Sequence, residues 1–378
     1  MLCRVFPVDK NKIVMWTFEG KGGYGCSPRY IAEELLKRNR DGRTRYKIYW
    51  LVADPGKRFP AGITAVRDTA LRRAYHMTTA RIWVANTRTF YGTRKRKQTT
   101  YYQTWHGTVS LKPIGKYRGE KLSRMAYLVS RADSRLMDAA LSGSKWCTET
   151  WRDGLIYDGP IIETGTPRCD VFFKDNSARR LAARRRSGLA DDAKILVYAP
   201  TFRGGSQGTV RSVYQEEVTL DFKRLIAALE ERFGGSWYVF LRLHPQLAAT
   251  NRLMHLAEKN GRLMDVSALP DLNAILAVSD AMITDYSTAI FEAFLSGMPC
   301  FIYADDLAAY VADRGALMFE PEEIPFSVAE HNDALVENIR QFDAESYRKR
   351  CADFIRKTGI LEDGGAAGRV ADLIEENC

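Results

Sequence analysis

The chain contains no run approaching the ~20 apolar residues that a membrane-spanning helix requires, and its first ten residues lack the apolar segment of a secretion signal. Its seven cysteines stand singly at positions 3, 26, 147, 169, 300, 351 and 378, with no Cys-x-x-Cys pair. That scatter predicts reduced thiols in a cytosolic protein, and argues against a zinc site or a disulfide frame. There is no Gly-x-x-x-x-Gly-Lys-Ser/Thr loop to cradle a triphosphate and no Asp-x-Asp pair of the kind that bridges a sugar nucleotide to a metal. No metal and no other cofactor is therefore expected. If a diphosphate binds, arginines, histidines and helix amides must balance its charge.

What the chain has is length and lopsided charge. Its 378 residues exceed one ordinary core and predict two domains, and 46% apolar with 27% charged residues describes a globular protein. The net charge of +10 conceals an asymmetry: residues 1–187 hold 38 basic against 16 acidic residues, whereas residues 188–378 hold 18 against 30. Basic clusters at Arg94–Lys97, Lys116–Arg135 and Arg179–Arg186 point to polyanionic partners such as anionic lipid head groups or phosphate polymers. Each cluster alone also fits a solvated face. No basic and aromatic interleaving of an RNA-binding module accompanies them, so nucleic acid is not the expected partner.

Strand-like apolar runs alternate with helical periodicity along the whole chain. Lys12–Phe18, Tyr46–Val52, Arg81–Ala85 and Tyr101–Thr104 read as strands, with a helix at Ser27–Arg38. A second series follows at Lys194–Tyr198, Trp237–Arg242, Ala281–Ile283 and Cys300–Tyr303, with helices at Asp221–Phe233, Pro270–Ala277 and Ala289–Ser296. This alternation predicts an α/β protein with two parallel sheets. The arginine-rich span near 175–192 reads as the junction. The expected domains are a basic one over 1–185, a second over 186–345, and C-terminal helices over 346–378.

In open parallel sheets ligands bind beyond the carboxyl ends of the strands, and several chemically capable residues fall there. His106 follows the strand ending at Thr104; Gly107 permits close backbone approach, and Thr108 with the next amides could hold an oxyanion. An imidazole in this place can take a proton from an attacking hydroxyl. Lys112 and Lys116 lie nearby. His244 and Pro245 end the run Leu241-Arg-Leu-His-Pro, with Arg242 on the same strand face as His244, a pairing suited to a phosphate. Arg203 follows another strand in Pro200-Thr-Phe-Arg. Ile283-Thr-Asp-Tyr-Ser-Thr288 is a strand turning into a helix; Asp285 belongs to it, Ser287 and Thr288 are expected to cap the helix toward an anion, and Glu292, one turn on, to reach a ribose hydroxyl. Each segment alone also fits an ordinary role, as a carbonyl-bonded histidine, a helix cap or a solvated loop arginine.

Taken in order, Gln103-Thr-Trp-His-Gly-Thr108, Gly165-Thr-Pro-Arg-Cys-Asp170, Tyr198-Ala-Pro-Thr-Phe-Arg203, Leu241-Arg-Leu-His-Pro245 and Ile283-Thr-Asp-Tyr-Ser-Thr288, with Gly22–Tyr30, resemble the CDP-glycerol glycerophosphotransferases of teichoic-acid synthesis. The resemblance runs from about residue 12 to Gly364. It implies a GT-B architecture of two Rossmann-like domains facing a cleft, with the C-terminal helix crossing back to the first. It implies a CDP-polyol donor, His106 as the base, and His244 as its partner at the diphosphate. Ser287 and Thr288 become phosphate contacts, and Glu292 stands where the family has a ribose-binding acid. The expected reaction transfers a polyol phosphate, glycerol phosphate foremost, to a lipid-linked or polymeric acceptor at the inner face of the cell membrane, releasing CMP. The chain's length favours a one-step primase or tailoring transferase. The segment after His106 and the cysteine at 169 depart from the family pattern and bear on acceptor choice. A GT-B glycosyltransferase acting on a sugar nucleotide is the rival reading, and a non-enzymatic polyanion binder a more distant one.

Overall fold

The computed structural model describes residues 2–201, 219–243 and 261–377. Two parallel sheets organise them. The first contains β1 (Asp9–Trp16), β2 (Lys47–Val52), β3 (Ile63–Arg67), β4 (Ala80–Ala85), β5 (Thr100–Gln103), β6 (Ala139–Ser142) and β7 (Ile161–Glu163), in the order β3-β2-β1-β4-β5-β6-β7. The second contains β8 (Lys194–Tyr198), β9 (Trp237–Leu241), β10 (Leu263–Asp265), β11 (Ala281–Thr284), β12 (Cys300–Tyr303) and β13 (Ser327–Ala329), in the order β10-β9-β8-β11-β12-β13. Each sheet winds outward from its first strand in both directions, the doubly wound topology. Each therefore has a switch point, β1/β4 in the first and β8/β11 in the second, where a ligand crevice opens.

Side-chain alternation explains why the strands read as continuous apolar runs. Ile13 and Met15 enter one core of the first sheet, while Val14 and Trp16 enter the other. In the second, Ile195 and Val197 face one layer and Leu196 and Tyr198 the opposite one. A parallel strand covered by helices on both faces needs apolar residues at every position.

The last two helices divide between the domains. In Ala344–Thr358, Tyr347, Cys351 and Phe354 pack into the second domain, whereas in Ala366–Glu376, Val370, Ala371 and Ile374 are buried in the first. The chain crosses between them at 359–365, with Leu361 N–H donating to the Gly143 carbonyl at 3.0 Å. Two devices fix the final helix. Asp170 accepts hydrogen bonds from the Ala366 and Ala367 amides at its N-terminus (3.0 and 2.8 Å). Arg38, on the helix Cys26–Arg40, bonds to both Asp372 and Glu375 at 2.7 Å.

Between the domains the contact is close and combines apolar packing with polar bonds. Asp271 of the second domain accepts from the Cys26 amide (3.0 Å) and the Tyr30 hydroxyl (3.1 Å) at the start of the helix Cys26–Arg40. Gly25 precedes that helix because a β-carbon there would lie 2.7 Å from the Pro270 carbonyl oxygen. Arg168 of the first domain pairs with Glu292 of the second, and Asn273 donates to both the Arg168 carbonyl (3.2 Å) and Glu292 (2.8 Å). Removing either member of such a buried ion pair costs about 3–5 kcal/mol, because the other charge is left uncompensated.

Two sequence expectations change. Thr17 and Phe18 leave the first strand: Phe18 takes a positive φ of 46° and its amide donates to the Asn86 side chain at 2.9 Å. The arginine-rich span includes a helix, Ser177–Arg186, and its arginines have structural partners. Arg180 and Arg184 both hold Asp280, and Arg185 holds Asp191. Three of the cluster's five arginines are thus engaged by two aspartates, which reduces its charge without cancelling it.

Candidate active site

β5 ends at Gln103, and the chain then turns sharply. Trp105 has φ +49°, a region costly for a bulky side chain, and its amide is held by the Gln103 side chain at 3.0 Å. The turn stacks the Trp105 ring against His106, centroids 4.4 Å apart, while Phe18 closes the other side at 5.7 Å. His106 Nδ1 lies 2.8 Å from the Asn86 carbonyl oxygen at the end of β4. A carbonyl only accepts, so Nδ1 carries the proton and Nε2 the lone pair. Burial holds the imidazole's pKa down at about 4; the Asn86 bond opposes the shift, and the nearby charges of Arg168, Arg88 and Lys112 reinforce it. The ring is a neutral, oriented base at the first domain's switch point.

His106 lines two spaces. The larger, of about 660 Å³, runs between Thr87–Tyr91, the segment Lys112–Ser130 and, from the second domain, Thr201, Tyr310 and Arg314. The smaller, of about 130 Å³, is bounded by His106, Gly107, Lys112 and, across the cleft, Thr288. A β-carbon built on Gly107 would lie 3.6 Å from that of Thr288, an ordinary contact distance, so the two domains' loops meet here; the tight approach, 3.2 Å, is to the Val109 carbonyl oxygen of the same loop. The switch points of the two sheets thus face each other.

The remaining expected site residues divide. Lys112 lines both spaces. Ser287 and Thr288 are half-buried at the second domain's switch point, but the cap expectation does not hold. The short helix Ile290–Ala293 begins after Ala289 with no side-chain cap, and the Ser287 hydroxyl accepts only a long 3.4 Å bond from the Ala289 amide. Thr108 is turned inward: its hydroxyl is buried against Thr166 (3.0 Å), Cys169 and Glu362. Asp285 accepts from the Thr201 amide at 2.9 and 2.8 Å, tying the β8 and β11 ends together. Glu292 is fully buried, with Arg168 on one carboxylate oxygen and Asn273 on the other. Arg242 donates to the Ser267 carbonyl, and burial lowers its pKa against the pull of Asp271 and Asp265. Lys116 is paired with Asp153 at 2.7 Å on the surface. Arg203, His244 and Pro245 lie outside the described residues.

Sequence reasoning passed over Asn86, Arg88 and Glu362. Asn86 and Arg88 follow β4 directly, so the strand-end rule that marked His106 would have found them. The Arg88 guanidinium lies over the Trp105 ring at 4.7 Å, and burial lowers its pKa while Asp133 opposes the shift. Glu362 carries no local signal. It accepts from the Thr166 amide with both oxygens (2.9 and 3.0 Å), and burial lifts its carboxyl to about 8 against that bonding, with Glu292 and Asp170 adding to the rise. Among the described residues no group of three His, Cys, Asp or Glu side chains is arranged to hold a metal ion.

Two doubly wound domains meeting at their switch points around a shared cleft define a GT-B-like architecture. The chain belongs to the CDP-glycerol:poly(glycerophosphate) glycerophosphotransferase family, whose profile matches residues 1–376. It is 27% identical over 389 residues to the teichoic acid poly(glycerol phosphate) polymerase of Bacillus subtilis (strain 168), covering 99% of this chain but only half of that protein. With the teichoic acid glycerol-phosphate transferase of Staphylococcus aureus it shares 28% over 383 residues, 97% of this chain and 93% of that one. Among solved structures, the wall teichoic acid polymerase TagF superposes with a TM-score of 0.83 at 26% identity, over 98% of this chain and 90% of that one. A histidine-to-asparagine variant of TagF soaked with CDPG gives the same TM-score. A UDP-N-acetylglucosamine 2-epimerase from Listeria monocytogenes, at 16% identity and TM-score 0.53, shares the fold alone.

The state of His106 is open to direct measurement. Because its pKa is displaced to about 4, the side chain should stay uncharged as pH falls from 8 to 5. In ring-labelled protein the His106 signals should keep the Nδ1–H neutral pattern over that range. A titration with a midpoint near the ordinary value of about 6.5 would contradict the assignment.

Proposed function

We propose that the chain transfers a polyol phosphate, glycerol phosphate foremost, from a CDP-polyol to a hydroxyl of a lipid-linked or polymeric acceptor in the synthesis of a teichoic-acid-like polymer. One observation carries the proposal: His106 from the first domain and Thr288 from the second bound the same small space, with the imidazole neutral and its tautomer fixed. In this mechanism the acceptor hydroxyl gives its proton to His106 Nε2 as its oxygen attacks the β-phosphorus. The bond from that phosphorus to the bridging oxygen breaks, CMP departs, and a phosphodiester joins the polyol to the acceptor. Lys112, Arg242, Ser287 and Thr288 are the residues offered to the developing phosphate charge, with His244 in the role implied by the resemblance and Arg203 as a further substrate-binding residue. Catalysis is then positioning and electrostatics, requiring no metal.

With CDP-glycerol and membrane acceptor, the wild-type chain should release CMP, including in the presence of EDTA, and CDP-ribitol in parallel decides the polyol. His106→Ala should lower turnover about a hundredfold or more. Near-normal turnover in that variant removes His106 from the mechanism, and release of a nucleoside diphosphate would mean glycosyl transfer instead.

We further propose that the first domain rests on the cytoplasmic membrane surface. Tyr91 (67% exposed) and Met125 (64%) line the larger space with Phe90, and Leu128 and Tyr117 are exposed nearby in the chain. Exposed Arg94, Lys97, Lys121 and Arg124 accompany them. Apolar side chains beside basic ones suit an anionic bilayer, where each basic residue near the surface contributes about 1 kcal/mol. No helix among the described residues is long and apolar enough to cross a membrane. Sedimentation with anionic liposomes should be strong at low salt and fall steeply as salt rises. Equal binding to neutral and anionic vesicles would count against this attachment.

A further inference from the structure

We propose that Arg118 and Arg314 form an acceptor-side phosphate subsite: with the acceptor hydroxyl at His106, a phosphate ester of that same acceptor lies between the two guanidinium groups. The inference rests on the transferase reading above and adds the chemistry of the acceptor. Both arginines line the 660 Å³ space that His106 lines, and they come from opposite domains. Arg118 belongs to the segment Gly115–Lys121 of the first domain, and Arg314 ends the helix Leu307–Arg314 of the second.

The backbone brings them together. Gly315, which follows Arg314 with φ +99°, is set so that a β-carbon there would lie 3.6 Å from Pro113 and 3.8 Å from the Arg118 carbonyl oxygen. A main-chain bond from Met318 N–H to the Leu111 carbonyl, 2.9 Å, holds the same two stretches in register. The charges around the space are one-sided. Among the described residues lining it, Arg88, Lys112, Arg118 and Arg314 are basic, and Glu19 alone is acidic. Arg314 bonds to its neighbour Asp313 through Nε at 2.7 Å. Burial lowers the pKa of Arg118 and the charge of Arg314 lowers it further, with Asp313 opposing, so the two cations disfavour each other where they stand.

An anion between them relieves that repulsion, and the planar guanidinium fork matches the oxygens of a phosphate. Leu122, Met125 and Val129 supply an apolar wall for the carbon part of the same molecule. Because one arginine belongs to each domain, a phosphate held by both also draws the cleft together. Two acceptor types carry the required ester: a growing polyol-phosphate chain and a lipid-linked diphosphate.

The test uses the full chain with CDP-glycerol and, in separate arms, a soluble glycerol-phosphate oligomer or a short-chain lipid-linked diphosphate acceptor. In Arg118→Ser and in Arg314→Ser, the acceptor KM should rise about tenfold or more in at least one arm, the size expected for losing a charge-assisted bond. The donor KM should move much less, and Arg118→Lys should recover a large part of the loss. An effect confined to one arm identifies which phosphate is held. An acceptor KM unchanged in both arms, or a donor KM that rises in parallel, overturns the subsite while leaving the transferase reading intact. Absence of CMP release by the wild-type chain would instead strike the transferase reading. A readout independent of turnover is calorimetric binding of sn-glycerol 3-phosphate: the Arg118→Ser/Arg314→Ser double variant should bind about tenfold or more weakly than wild type, and equal binding overturns the subsite.

Discussion

One hydrogen bond sets the chemistry of the molecule: His106 Nδ1 to the Asn86 carbonyl oxygen, 2.8 Å. It spans the ends of β5 and β4 and decides which ring nitrogen holds the proton. Without it the imidazole could rotate and change tautomer; with it, Nε2 is committed as a base. The surroundings serve the same end. Trp105 and Phe18, both forced to positive φ, press on the ring from two sides, and burial with neighbouring positive charge keeps it neutral. Backbone strain of this kind costs on the order of 1–3 kcal/mol per residue and persists only where packing over-determines it. Two of the non-glycine residues with positive φ, Phe18 and Trp105, flank this one ring.

The segment Gly165-Thr-Pro-Arg-Cys-Asp170 explains how that ring is held in relation to the other domain. Thr166 meets Thr108 behind the His106 loop and gives its amide to Glu362 on the crossing segment. Arg168 reaches Glu292 in the second domain and Cys26 in the first. Asp170 caps the final helix. One short stretch therefore ties together the base-bearing loop, the interdomain seam and the return of the chain. Its buried charges are specified by shape and partner, since a buried ion pair of this type adds little net stability of its own.

Much of the sheet framework was legible in the residues. β8 and β12 match their apolar runs end for end, because strands covered on both faces carry an uninterrupted signal. The strands β3, β6, β7, β10 and β13 carry no such signal; each is three to five residues long and mixes polar with apolar residues. Ser177–Arg186 reads as linker because its arginines outweigh its apolar residues, and its partner Asp280 is 100 and 96 residues from Arg180 and Arg184. His106 was found because a strand end in a parallel sheet is where ligands bind. The inward turn of Thr108, and the engagement of Glu292 by Arg168, depend on partners 254 and 124 residues distant. Local pattern reports which residues could act, whereas long-range packing decides which of them do.

If His106 is a base and never a nucleophile, the transferred phosphorus undergoes a single in-line displacement. CDP-glycerol made chiral at the β-phosphorus with isotopic oxygen tests this most directly, by phosphorus NMR of the product ester. The account predicts inverted configuration at that centre. Retention would require two displacements through a phosphorylated enzyme, and would contradict the role that the Asn86 bond confers on His106.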